Sequence, residues 1–313
     1  MQIHPKKHLG QNFLTSKDIV KKIVKASGVN ETDTVIEIGP GLGILTEELI
    51  KHAKKVITIE IDRELVEHLS RKFSTCNTST THTNRSLQQQ NQSLTCNSRH
   101  VTKFQSVKTT KNQSLTCNSR TSTESRRVPL IILNQDALKF DPTSTLKDTP
   151  YKVVANIPYY ITSPLITHFL TQKNPPISMT LLVQKEVAEK ICAQTPSNPK
   201  EGHSVLSIMV QLYATPSIKF VVHAGSFTPA PKVESAVIHL MTHKTTYNKE
   251  KIIQLAKKTF SGKRKKLSNT LKQEFTILSK TAPAFSKTIK DLRPENLNLE
   301  DWEKLAENLP PPH

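Results

Sequence analysis

The sequence predicts an α/β protein: a parallel, doubly wound sheet followed by a small helical domain. Three observations predict it. Short apolar runs alternate with amphipathic stretches along most of the chain, a glycine-rich turn follows the first of these runs, and the pattern becomes helical and basic after about His243.

Thr34 to Ile38 is short, β-branched and apolar, as a buried strand should be, and Ile44 to Lys51 has the apolar spacing of an amphipathic helix. Val56 to Glu60 repeats the strand pattern and Arg63 to Arg71 the helical one. Leu130 to Leu133, Lys152 to Ala155 and Met179 to Val183 add three more buried strands, and the βαβα rhythm makes the sheet parallel. Ile218 to Val222 and Ala236 to Met241 have no crossover helix between them, so an antiparallel pair is expected at one edge.

Beyond that edge, Ile252, Ile253, Leu255, Ala256 and Phe260 share a helical face, and Asn298 is placed to cap a final helix. The expected division is an α/β domain over 1–243, interrupted at 74–127, and a basic helical domain over 244–313. Between Ser74 and Arg127 the composition changes to Ser, Thr, Asn, Gln and Arg, and NQSLTCNSR occurs at both Asn91–Arg99 and Asn112–Arg120. That segment is read as a low-complexity, disordered insertion in a surface loop, tolerated because closure entropy grows slowly with loop length.

Lys and Arg number 44 against 26 Asp and Glu, a formal net charge of +18, which favours a polyanionic partner such as nucleic acid. No run reaches the roughly 18 apolar residues of a membrane span. The first motif lies close to Met1, so no targeting peptide is expected and the cytoplasm is the expected location. The four cysteines form no C-x-x-C pair, which argues against a zinc site or a disulfide framework. His239 and His243 have helical metal-pair spacing, but in a strand residues so separated stand about 13 Å apart, so no metal is expected.

The candidate site begins where the first strand ends in EIGPGLG, with Gly39, Gly41 and Gly43 leading into a helix. Glycines there let a ligand approach the backbone closely, and ligands of open α/β sheets lie outside the strand C-termini. Glu60 ends the second strand, where a carboxylate can accept from ribose hydroxyls, and Asp136 follows the third. With Glu37 and Asp62 these make an acidic rim, poor for pyrophosphate but suited to a ligand with sulfonium and ammonium charges. S-adenosyl-L-methionine is the cofactor expected.

The stretch VVANIPYY ends the fourth strand at Asn156. An aromatic exocyclic amine is a weak nucleophile because its lone pair is delocalised into the ring. Acceptors aimed at its two N–H groups, the Asn156 side-chain oxygen and the Ile157 carbonyl, would localise that pair as charge develops. Pro158 fixes the bend and Tyr159 offers a stacking face worth ~1–3 kcal/mol per base.

These residues together resemble the bacterial small-subunit ribosomal RNA adenine dimethyltransferases of the KsgA type. The matching pieces are GQNFL at Gly10–Leu14, EIGPGLGILT, IEIDREL, QDALKF, NIPYYI, FTPAPKVESAV at Phe227–Val237 and SGKRKKLSNTL. The resemblance implies a class I, Rossmann-like S-adenosylmethionine-dependent methyltransferase that dimethylates N6 of two adjacent adenosines near the 3′ end of 16S rRNA, within the 30S subunit or its precursor. It also implies that Asn12, Leu14, Gly39, Glu60, Asp136 and Asn156 contact the methyl donor, while Asn156, Tyr159 and Phe227 hold the target adenine. A monomer is expected. Two rival readings are a 23S rRNA methylase of the erythromycin-resistance type and an assembly factor acting mainly by RNA binding. Gln135 stands where the family has glycine, which questions the aim of Asp136, and modest weakening of cofactor binding is the most it is expected to cause. Lys263, Arg264, Lys265 and Lys266 are expected to contact phosphate.

Overall fold

The computed structural model describes residues 5–6, 9–74, 128–193, 202–262 and 265–310. The predicted insertion lies outside these residues except for Ser74, as do Lys263 and Arg264.

After a two-residue strand β1 (Phe13–Leu14), Ser16 caps helix α1 (Lys17–Ser27) by accepting from the Ile19 amide. The chain continues through β2 (Thr34–Ile38), α2 (Ile44–His52), β3 (Lys55–Glu60), α3 (Arg63–Ser74) and β4 (Leu130–Asn134). Next come α4 (Pro142–Leu146), β5 (Tyr151–Asn156), α5 (Thr162–Leu170), β6 (Ser178–Gln184) and the helices α6 (Lys185–Cys192) and α7 (Val205–Tyr213). Strands β7 (Ala214–Val222), β8 (Phe227–Thr228) and β9 (Ser235–Thr242) complete the β-structure. The C-terminal helices are α8 (Lys249–Phe260), α9 (Leu267–Thr270), α10 (Lys272–Thr281), α11 (Pro283–Ile289) and α12 (Leu299–Asn308).

Seven strands pair in the order β4-β3-β2-β5-β6-β9-β7. The first five are parallel, while β9 runs antiparallel to β6 and β7, which puts the expected antiparallel pair at one edge. Parallel strands are covered on both faces, and β2 is accordingly buried at every residue. One face packs on α1, α2 and α3 through Ile23, Leu49 and Leu69; the other packs on α5, α6 and α7 through Leu165, Ile191 and Val210.

A third core joins the C-terminal helices around Leu255, Leu278 and Trp302, and it includes Ile208 and Leu212 of α7. Asn298 caps α12 as expected, accepting from the Asp301 amide. Lys266 is ion-paired with Asp291 at 2.8 Å, so this member of the basic run is already partnered. Among the described residues no helix is long and apolar enough to cross a membrane.

The turn from β2 into α2 works because Gly43 adopts φ +77° directly over α3. A Cβ there would stand 2.7 Å from Leu69 Cδ2 and 3.1 Å from the Phe73 ring, both buried. Gly43→Ala is therefore expected to destabilise the protein by about 1–3 kcal/mol, from backbone strain and overpacking together. Urea unfolding measures it, and an unchanged midpoint would show that α3 gives way freely.

Candidate active site

Strand β2 connects to β3 on one side while β5 pairs on the other, so the chain reverses its winding between β2 and β5. Register places Ile38 opposite Ala155, so Gly39 and Asn156 leave the sheet side by side at this switch point. A Cβ on Gly39 would lie 3.7 Å from the Asn156 carbonyl oxygen. The cleft that opens there is lined by Asn12, Leu14, Gly39, Glu60, Asp136, Asn156, Tyr159 and Phe227, which brings together all the predicted site residues.

Glu60 is held from the protein side through both oxygens. The Gly41 amide donates to Oε2 at 3.4 Å and the Asp62 amide to Oε1 at 3.0 Å. Burial raises its pKa, and these two amides offset part of that. Gly41 reaches Glu60 with φ +56°, and a Cβ there would stand 3.0 Å from the Phe13 ring.

Glu37 is fully buried under the cleft floor. Its Oε2 accepts from the Thr46 hydroxyl at 2.6 Å, and its Oε1 has no hydrogen-bond partner. Burial pushes its pKa up to about 8, so the folded protein holds a proton that the unfolded chain releases above 4.5. The unfolded state then binds fewer protons, and the stability this group contributes is full below about pH 4.5 and is lost as pH rises to about 8. Glu37→Gln is expected to remove that loss, so that wild type falls behind the variant in urea unfolding between pH 5 and 8.

Of the four predicted rim carboxylates, Glu37, Glu60 and Asp136 line the cleft and Asp62 does not. Asp62 is occupied by Lys6 Nζ at 2.8 Å, Gln11 Nε2 at 3.1 Å and the Glu64 amide at 3.1 Å. Lys6 and Gln11 hold its pKa below the usual range although burial opposes them. These bonds tie Asp62 to the N-terminal segment, a connection that sequence spacing does not reveal because Lys6 and Gln11 are far from it along the chain. The same segment is fixed again where β1 pairs with β8, setting Leu14 opposite Phe227.

Gln135 stands beside Asp136 without a positive φ. Its amide donates to the Glu60 carbonyl at 3.0 Å, and Lys147 is the only non-glycine residue with positive φ among the described residues. Asp136 caps the following turn by accepting from the Leu138 amide at 2.9 Å, and it stays on the cleft wall.

Asn156 donates its side-chain amide to the Asn12 carbonyl at 3.1 Å, which leaves Oδ1 as the acceptor end. The Tyr159 hydroxyl bonds Ser235 Oγ at 2.7 Å, and burial raises its pKa. Phe227 is 4% exposed, and no ring contact joins it to Tyr159. Spacing did not single out Ser235, Gln11 or Ile61. Ile61 lines the cleft yet is 54% exposed, and its place between Glu60 and Asp62 at the end of an apolar strand was the signal available for it. His239 lies in β9 with Nδ1 on Thr180 Oγ1 at 2.9 Å, and no metal-binding cluster occurs among the described residues.

The residues present fit S-adenosylmethionine: an unpartnered buried carboxylate oxygen for a cationic end, a second carboxylate fixed for hydroxyls, and the apolar side chains of Ile61 and Leu138 for a purine. Fold and cleft together define a Rossmann-like methyltransferase that uses S-adenosyl-L-methionine. The sequence model of the family described as ribosomal RNA adenine dimethylase matches residues 3–117 and 105–309, and the chain belongs to that family.

Ribosomal RNA small subunit methyltransferase A of Dehalococcoides mccartyi (strain CBDB1) is 33% identical over 312 residues, covering 96% of this chain and 87% of that protein. A dimethyladenosine transferase structure from Plasmodium falciparum superposes with a TM-score of 0.64 at 24% identity, covering 94% of this chain and 95% of that one. The 23S rRNA methyltransferase ErmE gives 0.65 at 21% identity, covering 95% and 99%, so these two structures share the fold without separating the ribosomal subunits.

Proposed function

We propose that the protein transfers methyl groups to N6 of two adjacent adenosines near the 3′ end of 16S rRNA, acting as a cytoplasmic monomer on the 30S subunit or its precursor. The observation that carries the reading is the Asn156 amide, held by Asn12 so that Oδ1 is the acceptor, at the switch point beside the acidic crevice. The small-subunit name of the Dehalococcoides relative favours 16S over 23S rRNA.

The cofactor supplies an electrophilic methyl group on a sulfonium. Glu60 would accept from its ribose hydroxyls, Glu37 would balance its cationic end, Asp136 would hold its purine, and Asn12, Leu14 and Gly39 would complete the site. Asn156 Oδ1 and the Ile157 carbonyl accept from the two N–H groups of the target amine, favouring a pyramidal nitrogen without deprotonating it first. Tyr159, steadied through Ser235, and Phe227 hold the faces of a base drawn out of its RNA surroundings. The helical part from 244 onward, rich in lysine, is assigned to RNA binding.

Because a cationic ligand favours the ionised form of Glu37, cofactor affinity is expected to rise with pH toward about 8 and then level off, with proton uptake reversing it below. Calorimetric titration at pH 6.5 and 8.5 checks this, and a Glu37→Gln protein should show little of the slope. The function itself is tested by incubating the protein with 30S particles from a strain lacking this gene and mapping tritiated methyl groups. Methylation of naked 23S rRNA instead would assign the erythromycin-resistance type, and 30S binding without incorporation would leave an assembly factor.

A further inference from the structure

A second concavity, of about 370 Å³, lies at the other end of the sheet from the methyl-transfer cleft. Its wall includes Lys173, Lys244 and Lys249 with His243, around Tyr213 and Thr245. The lining comes from the end of α5, the loop before β6, the end of β9 and the start of α8, all beyond the N-terminal end of β6. The cleft stands at the C-terminal ends of β2 and β5, so the strand length alone separates the two by roughly 20 Å.

Electrostatically this concavity is unfinished. No acidic side chain lines it, and none of the three lysines has a carboxylate partner among the described residues. Lys249 is the first residue of α8, where the helix dipole disfavours a cation, and its ammonium sits 4.0 Å from the centroid of the Tyr213 ring. Burial lowers the Lys249 pKa, the direction expected for a cation drawn from water without a counter-charge. Burial, and after it Glu250, the nearest acid on the same helix, raise the Tyr213 pKa, but Glu250 does not line the concavity.

We infer that this concavity is a binding site for backbone phosphates of an RNA strand, a second contact remote from the methyl-transfer cleft. An anion seated there relieves the repulsion among the three lysines and meets the positive end of α8. A polymer is favoured over a free nucleotide because the Tyr213 face is already covered by Lys249, and nothing acidic lines the concavity to take a ribose. The inference rests on the ribosomal substrate proposed above and adds where that substrate is held.

The test replaces Lys173, Lys244 and Lys249 by Gln together and measures 30S binding from 50 to 300 mM salt. A control triple changes Lys21, Lys22 and Lys25, exposed on α1 across the sheet. The expected result is a slope of log K against log salt reduced by roughly 2, for three phosphate contacts, with single-turnover methylation at saturating 30S and cofactor affinity unchanged. An unaltered slope overturns the inference, and so does an equal reduction in the control, which would reduce the effect to net charge. Saturable inorganic phosphate binding at these lysines with a wild-type 30S slope would assign a small anion and likewise overturn it. Failure of the wild-type protein to bind 30S would overturn the proposed function itself.

Discussion

Replacing Asn156 by Ala is expected to lower methyl incorporation by roughly 10²- to 10³-fold, the range found when one preorganised hydrogen-bonding group is removed from a developing charge. The amide is fixed before substrate arrives: its nitrogen is bonded to the Asn12 carbonyl and its backbone lies at the end of β5 beside Gly39. Truncation removes the acceptor and leaves the cleft walls standing, so the loss should fall on the chemical step. Single-turnover methylation with cofactor affinity measured in parallel separates the effects. Unchanged incorporation would show that Asn156 does not activate the amine, and a loss confined to cofactor affinity would move its role to the donor.

Glu60→Gln is expected to weaken cofactor binding by roughly 10²- to 10⁴-fold, on the scale of two charge-assisted hydrogen bonds at about 1.5–3 kcal/mol each. A carboxamide looks conservative, but both carboxylate oxygens already accept backbone amides, from Gly41 and Asp62. An NH₂ in place of either oxygen puts donor against donor in a buried site, and the turn that carries Gly41 must shift. Glu60→Ala should therefore be no more than modestly worse. Calorimetry giving the Gln variant an affinity within threefold of wild type would take Glu60 away from the ribose hydroxyls.

Most of the strand pattern was legible because parallel strands are buried on both faces and so read as short apolar runs; β2 matches its predicted span, and β3 and β6 exceed theirs by one and two residues. The start of β7 was not legible. Its first four residues include Pro216, and an edge strand tolerates a residue that cannot donate because only one side is paired. The positions named for the candidate site all line one cleft, while Asp62 of the expected acidic rim does not. The bonds that steady the site were not legible, because Tyr159 to Ser235 spans 76 positions and Asn156 to Asn12 spans 144.

By itself the amino-acid order determined the βαβ alternation, the glycine turn and the chemistry available at each strand end, since these follow from local periodicity and side-chain type. Only tertiary structure decided that Asp62 faces Lys6 and Gln11 while Glu60 faces the cleft, although the two carboxylates are two positions apart. It likewise left Glu37 with one unpartnered oxygen and gathered three lysines without an acid at the far end of the sheet. The physical reason is that burial and charge pairing depend on which distant segments fold against a residue, and no local pattern records that.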